Sequence, residues 1–161
     1  MNKKLPNQDK WIVSPKLNIQ FTLSTQTQLY LKTGKGFHSN DARVVVFNRG
    51  YDILPAAWGA DLGVLWKPAR NLLINAAAWY LYLQQEFVYV GDEGIVEPSG
   101  KTRRIGIDVS GRYQFNSWLF ADVNVNLAKP RSTEEAKGND YIPLAPSFTS
   151  TGGINWQLKN G

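Results

Sequence analysis

The stretch from Gly34 to Arg43 carries the residue types that most readily do chemistry. His38 is the only histidine of the 161-residue chain, and Ser39 and Asp41 stand close beside it. These are the residue types of a hydrolytic triad, but close neighbours in sequence rarely reach the mutual geometry that a nucleophile and its base need. His38 and Asp41 could also be metal ligands, although ordering of a loop is the simpler interpretation. We therefore predict no enzyme activity, no metal site and no cofactor.

The same region is long and lacks periodicity. Alternation of apolar and polar residues stops near Thr33 and resumes near Ala60. A connection of that length in a compact domain is usually functional or disordered. Its polar side chains are the candidates for binding a ligand, namely His38, Asn40, Asp41, Arg43 and Arg49. Gly34-Lys35-Gly36 lacks the spacing of a P-loop, so this is not predicted to be a phosphate-binding loop.

Four charged residues lie on the polar faces of predicted strands: Arg104, Asp108, Arg112 and Asp122. If those strands are neighbours, Arg112 comes within diagonal reach of a carboxylate. We expect these groups to order the wall of a hydrated lumen, and contact with a ligand is the open alternative.

Composition points to an all-β protein. Hydrophobic residues make up 43% of the chain and aromatic residues 12%, which is too apolar for a disordered chain. The 14 glycines and 8 prolines fit many turns, and the absence of cysteine excludes disulfides and thiolate sites. The net charge of +5 arises from scattered Lys and Arg residues, so nucleic-acid binding is not predicted. Residues 1–10 begin with basic residues but continue without an apolar run, which predicts an N-terminal tail and no signal peptide.

Seven segments alternate with the period of a β-strand. They lie near residues 11–23, 25–33, 60–66, 71–85, 102–113, 118–127 and 147–158. Pro15 indicates an edge or a bend in the first segment, and a helix is the rival interpretation of the Ala-rich fourth segment. We predict an antiparallel up-and-down meander of about seven strands.

The connections between these segments alternate in length. Those at 23–27, 66–72 and 113–119 are tight, whereas those at 34–59, 86–101 and 129–143 are long. In an antiparallel meander all tight turns then lie at one end, which is typical of an outer-membrane barrel. For the apolar sets to share one face, residues that pair across each tight turn must have numbers with an even sum. Loops of three or five residues are therefore expected at 68–70 and 115–117.

The chemistry of the polar faces favours a lumen over bulk solvent. These faces carry mostly Asn, Gln, Ser, Thr, Gly and Asp, which suit a crowded hydrated interior. Aromatic residues near the segment ends are expected to form interfacial girdles: Trp11, Trp66, Tyr80, Tyr82, Tyr113 and Trp156. Two alternatives remain open, a soluble small-ligand-binding β-barrel or sandwich and a surface adhesion or structural β-protein.

A series of motifs resembles the barrel of TonB-dependent outer-membrane receptors. They are Ser14-Pro15-Lys16-Leu17, Leu29-Tyr30-Leu31, Gly36-Phe37-His38-Ser39-Asn40-Asp41-Ala42-Arg43, Ala60-Asp61-Leu62-Gly63, Thr102-Arg103-Arg104-Ile105-Gly106-Ile107-Asp108 and Ile142-Pro143-Leu144-Ala145-Pro146. The likeness runs from about Trp11 to Gly161 and lies in the order of the motifs. One departure is Asp61, because the family usually carries Glu before its Leu-Gly or Val-Gly pair.

The resemblance implies part of a large transmembrane barrel in the outer membrane of a Gram-negative bacterium. It also implies active uptake of a scarce ligand, such as a ferric chelate, another metal complex, a vitamin or a glycan. The implied partners are the lipid bilayer, an internal plug domain, TonB acting through that plug, and the small-molecule or metal-chelate ligand. Because barrels of this family have about 22 strands, we expect residues 11–161 to be a partial barrel that does not transport by itself.

Overall fold

The computed structural model describes residues 10–38, 52–90 and 95–157, the side chains of 87–90 and 95–99 excepted. Seven strands make up this part of the chain: β1 (Lys16–Thr22), β2 (Thr27–Phe37), β3 (Ala56–Ala69), β4 (Leu72–Val90), β5 (Ile95–Gln114), β6 (Leu119–Ser132) and β7 (Phe148–Trp156). They form one sheet in sequence order, and every neighbouring pair is antiparallel. The predicted all-β meander is confirmed, and the Ala-rich fourth segment is a strand.

The described residues contain no helix that is long and apolar enough to cross a membrane.

The strand register places most apolar residues of the seven strands on one side of the sheet, which we call the apolar face. One row across this face contains Phe21, Leu29, Val64, Ala76, Val109, Val125 and Ser150. The next row along the opposite side, called the polar face, contains Thr22, Gln28, Leu65, Asn75, Ser110, Asn124 and Thr151. Because successive side chains in a strand point to opposite sides, the alternation in sequence becomes two chemically distinct surfaces.

The strand bounds differ from the predicted ones mainly at the end with the long connections. β1 begins at Lys16 rather than near Trp11, and β6 continues to Ser132. The prediction of a long loop at 86–101 is wrong, because β4 runs to Val90 and β5 starts at Ile95. Beyond the Leu83–Thr102 pair these two strands continue to pair with each other, with register shifts on either side of the Glu86–Gly100 pair. Gly100 has a φ of 64°, which a bulge accepts most readily at glycine.

The turn between β3 and β4 also differs from the expectation. Ala69 pairs with Leu72, so the turn itself has two residues. The even-sum rule excludes that length for a turn between regular strands. A register shift between Trp66 and Ala69 supplies the missing residue. It includes Pro68, which has no N–H to donate to the ladder. Apolar residues on both strands therefore stay on one face. At the β5–β6 turn, Gln114 pairs with Phe120 and the even sum is confirmed without a bulge.

The described sheet is a single layer without a second sheet or helix packed against it. Apart from the prolines Pro55 and Pro130, Leu83 and Ile142 are the only buried hydrophobic side chains among those that the structure describes, at 7% and 8% exposure. On the apolar face, by contrast, Leu62 is 62% exposed and Ile107 50%. An apolar surface of this extent needs a covering medium or partner.

Candidate functional site

The apolar face is bounded at its two ends by aromatic residues. At the long-connection end, one row across the sheet contains Lys35, Trp58, Tyr82, Arg103 and Arg131. The Lys35 ammonium lies 5.5 Å from the centre of the Trp58 ring, within cation–π range. Rings with a wet end and an apolar body are typical of a membrane–water interface.

A second aromatic group lies at the tight-turn end. The Trp118 and Trp156 rings are 5.1 Å apart between centroids, and Tyr113 meets Phe115 edge-on at 4.8 Å. Together with Trp66, they lie at the opposite end of the sheet from the Tyr82 row. Of the predicted girdle residues, Tyr80 lies one row inside the Tyr82 row, and Trp11 precedes β1 and is 99% exposed.

The distance between the two aromatic ends matches a membrane. Arg103 and Tyr113 share the apolar face of β5 and are ten residues apart. Ten residues correspond to about 34 Å of strand at about 3.4 Å each, which a tilt of about 40° reduces to about 26 Å. The apolar band of an outer-membrane barrel is about 25 Å tall. None of the paired apolar-face positions holds Asp or Glu in the described strands.

The polar face is organised by two aromatic rings that lie over glycines. Tyr30 crosses Gly63, its partner on β3, and its hydroxyl donates to Asn75 Oδ1 at 3.0 Å. Trp79 crosses Gly106 in the same way, and its Nε1–H donates to Asp108 Oδ1 at 3.0 Å. A Cβ at either glycine would overlap the ring that covers it. Tyr30 therefore ties β2 to β3 and β4, and Trp79 ties β4 to β5.

The predicted lumen residues are found in different surroundings on this face. Asp108 accepts hydrogen bonds from Trp79 and Asn126, and Asp122 accepts one from Asn155 at 2.8 Å. Arg112 lies directly opposite Asp122 in the register. No ion pair joins Arg112 to a carboxylate of the described residues, however, so the predicted diagonal contact does not form there.

Arg104 pairs with Glu86, which is not among the predicted lumen residues. Glu86 accepts a hydrogen bond from the Arg104 guanidinium and another from Thr102 Oγ1 at 2.7 Å. Thr102 is fully buried, and the Glu86 and Arg104 side chains are 15% and 27% exposed. Glu86 was assigned to a loop because Gly91, Gly94, Pro98 and Gly100 follow it closely. Continuing the alternation of 71–85 would have placed Glu86 on the apolar face, and the register shift between Leu83 and Glu86 turns it to the polar face instead.

The predicted ligand-binding loop is described only at its two ends. His38 is exposed, and its backbone N–H donates to the Pro55 carbonyl at 3.1 Å, which closes the base of the loop. Asn40, Asp41, Arg43 and Arg49 lie outside the described residues, so their binding role stays a prediction. The described residues contain no cluster of three or more His, Asp or Glu side chains that could hold a metal ion.

Asp52 joins this loop base to the chain that precedes β1. It forms an ion pair with Lys10, and its backbone N–H donates to Gln85 Oε1 at 3.1 Å. Partial burial raises the pKa of Asp52, but hydrogen bonds from Lys10 and from the Leu54 amide outweigh it and leave the pKa below its usual value. Asp52 therefore stays ionised at neutral pH, and the contact persists there.

Comparison with solved structures agrees with this architecture. The crystal structure of the ferric yersiniabactin uptake receptor FyuA from Yersinia pestis matches with a TM-score of 0.66 at 16% sequence identity. The match covers 88% of this chain and 22% of that receptor, so the present chain spans about a fifth of its length. At this identity the likeness shows the fold alone. No curated protein matches the sequence significantly.

The sequence itself matches a protein-family model over almost its whole length. The model described as TonB dependent receptor-like, beta-barrel aligns with residues 2–161. Its match agrees with the two-faced sheet and the aromatic girdles described above. The chain belongs to the family of TonB-dependent receptor β-barrels.

Proposed function

We propose that this chain forms part of the barrel wall of a TonB-dependent receptor that takes up a scarce ligand across the outer membrane of a Gram-negative bacterium. The observation that carries the proposal is the apolar face of the sheet. It is about 26 Å tall between its aromatic ends, and among the described residues only the segment 141–147 lies against it, at the long-connection end. In the membrane, lipid chains cover it.

The polar face is then the lumen. Short polar groups follow one another there, and a cavity of about 370 Å³ is lined on this side by Asn75, Asp108, Ser110, Asn124, Asn126, Thr149 and Thr151. Such a surface can hydrogen-bond to an internal plug or to ordered water. We expect the plug to contact this wall and to connect the receptor with TonB.

The sheet needs further strands to form a closed wall. Strand β1 pairs only with β2 and β7 only with β6 among the described strands, so each has one unpaired edge. Unpaired backbone groups are not tolerated in hydrocarbon. We therefore expect the seven strands to function inside a complete barrel and not to transport by themselves.

The exposed apolar face argues against a soluble β-barrel or sandwich, whose apolar residues pack inward on one another. The test is uptake by cells that produce the complete receptor containing this chain, with a panel of radiolabelled ferric chelates, other metal complexes, a corrinoid vitamin and oligosaccharides. Ferric chelates come first, since FyuA is named as a ferric yersiniabactin uptake receptor. We expect one class to accumulate only when TonB is present. Accumulation that persists without TonB, or recovery of the receptor as a soluble monomer without detergent, would overturn the proposal.

A further inference from the structure

A groove of about 860 Å³ lies on the apolar face at the long-connection end. Its floor is formed by hydrophobic side chains of β5, β6 and β7, namely Ile105, Ile107, Leu127 and Phe148. The segment 141–147, which leads into β7, provides the other wall through Tyr141, Ile142 and Ala145. Its size falls in the range of small-molecule sites, roughly 300–1,000 Å³.

The wall of the groove is fixed to the sheet. The Ser132 N–H donates to the Asp140 carbonyl at 2.8 Å, and the Ala128 N–H donates to the Ser147 carbonyl at 2.9 Å. Arg131 forms an ion pair with Asp140 at 3.4 Å, and its guanidinium lies 4.0 Å from the centre of the Tyr141 ring. Backbone bonds at both ends of the segment therefore hold the groove open as a preformed shape.

The rim of the groove is positively charged. Lys129 and Arg131 line it, and Arg103 lies directly opposite Arg131 on the same face. Like charges directly opposite each other destabilise a strand pair. Asp140 is the one carboxylate that pairs with these cations among the described residues, and Arg131 is the only one of the three cations with which it pairs. Three cations therefore face one carboxylate, and the surplus favours an anion.

We propose that this groove binds one lipid of the leaflet at the long-connection end whose headgroup ends in a phosphate and therefore carries a net negative charge. An acyl chain lies along Ile105, Ile107 and Leu127, and the phosphate lies between Arg103, Lys129 and Arg131. Arginine forks suit phosphate oxygens, and the anion relieves the repulsion between Arg103 and Arg131. The inference rests on the proposed function, because it requires the apolar face to contact the bilayer.

The test measures lipid binding to the complete receptor in a neutral detergent by native mass spectrometry. The probes are dimyristoyl phosphatidic acid, dimyristoyl phosphatidylcholine and inorganic phosphate. The groove variant is Arg103→Gln with Lys129→Gln, which keeps the Arg131–Asp140 pair. The matched control is Lys16→Gln with Lys32→Gln, which removes the same charge from the polar face. A second groove variant, Ala145→Trp, fills the groove without changing charge.

We expect the unaltered receptor to hold one phosphatidic acid at least about tenfold more tightly than phosphatidylcholine. The Gln variant should lose about tenfold or more of that affinity, as expected when charged hydrogen bonds are removed. Ala145→Trp should weaken both lipids, and the control should bind as the unaltered receptor does. Inorganic phosphate should not compete at the same concentration.

Other results overturn the inference. Equal binding of both lipids, equal losses in groove and control variants, or full competition by inorganic phosphate would each exclude a site for a lipid with a terminal phosphate. Receptor dimers that exclude lipid would assign the groove to a second copy of the protein. Failure here is distinguishable from failure of the proposed function, because insertion into vesicles and TonB-dependent uptake are measured separately. A receptor that inserts and transports but shows no phosphate preference refutes the lipid site alone.

Discussion

Tyr30 lies across Gly63, its register partner on the neighbouring strand, so closely that a Cβ on Gly63 would overlap the phenol ring. The Tyr30 hydroxyl reaches past the glycine to β4, where it donates a hydrogen bond to Asn75 Oδ1 at 3.0 Å. One side chain on the polar face therefore connects three strands. The glycine is required there by the ring and not by a turn.

Gly63→Ala should destabilise the folded barrel by about 1–3 kcal/mol, because the ring must move and its hydrogen bond is strained or lost. Urea unfolding of the receptor from lipid vesicles measures this. Gly36→Ala is the control, since a Cβ there meets no atom within 4 Å. Adding Tyr30→Ala to Gly63→Ala should give less than the sum of the two single losses. Strictly additive losses would show that the two residues are not coupled.

Glu86→Gln should destabilise the long-connection end more than an exposed ion pair would suggest. The change removes the carboxylate that Thr102 and Arg104 share in a largely buried site, and a hydrogen bond to a charged group contributes about 1.5–3 kcal/mol. Glu134→Gln is the matched control. Its pair with Lys101, at 3.3 Å and half exposed, should contribute at most about 1 kcal/mol. Equal losses in vesicle unfolding would mean that burial does not strengthen the Glu86 pair.

Val125→Arg should destabilise the inserted barrel by about 2–4 kcal/mol, because it places a charge near the middle of the apolar band. Asn124→Arg, one residue away on the polar face, should change stability by about 0.5 kcal/mol or less. Val109, directly opposite Val125, should behave like Val125. Val123 lies two residues nearer the turn and should give an intermediate loss. The same loss at Asn124 and Val125 in vesicle-folding assays would reverse the assignment of the faces.

Trypsin added to intact cells should cut after Lys137. Residues 133–139, between β6 and β7, are all exposed and include the Gly138 turn with a φ of 106°, so a protease can reach them. Lys137→Gln should abolish that fragment. Arg70, in the turn at the other end of the sheet, should be cut only after the outer membrane is permeabilised. Cleavage at Arg70 alone in intact cells would invert the topology.

Replacing His38, Asn40, Asp41 and Arg43 with Ala should impair ligand binding while the barrel stays folded. Exposed loop residues contribute about 0.5 kcal/mol or less to folding, whereas one lost charged hydrogen bond weakens binding by about tenfold or more. Arg49→Ala should act in the same direction. The measurements are the heat-resistant folded band on gels and the affinity for the ligand found by uptake. Loss of the band in proportion to binding would make this stretch a structural part of the barrel rim.

The alternation of residue types was sufficient to determine that there are seven strands and which residues of a regular strand share a face. Val123, Val125 and Leu127 lie on the apolar face because a strand turns each successive side chain to the other side, whatever its partner. These properties depend on spacing along a single strand, so the sequence contains them completely.

The tertiary structure decided everything that depends on a partner distant in the chain. The β3–β4 turn can have two residues because a bulge beside Pro68 restores the register. The even-sum rule alone does not distinguish such a bulged turn from a longer loop. Glu86 joins the sheet because β5 supplies a strand for it to pair with. The glycines and the proline that follow it would by themselves predict a loop. Tyr30 over Gly63 and the groove beside Ile142 likewise bring together residues whose proximity arises only when antiparallel strands align. Pairing energies, and not local preference, select those contacts.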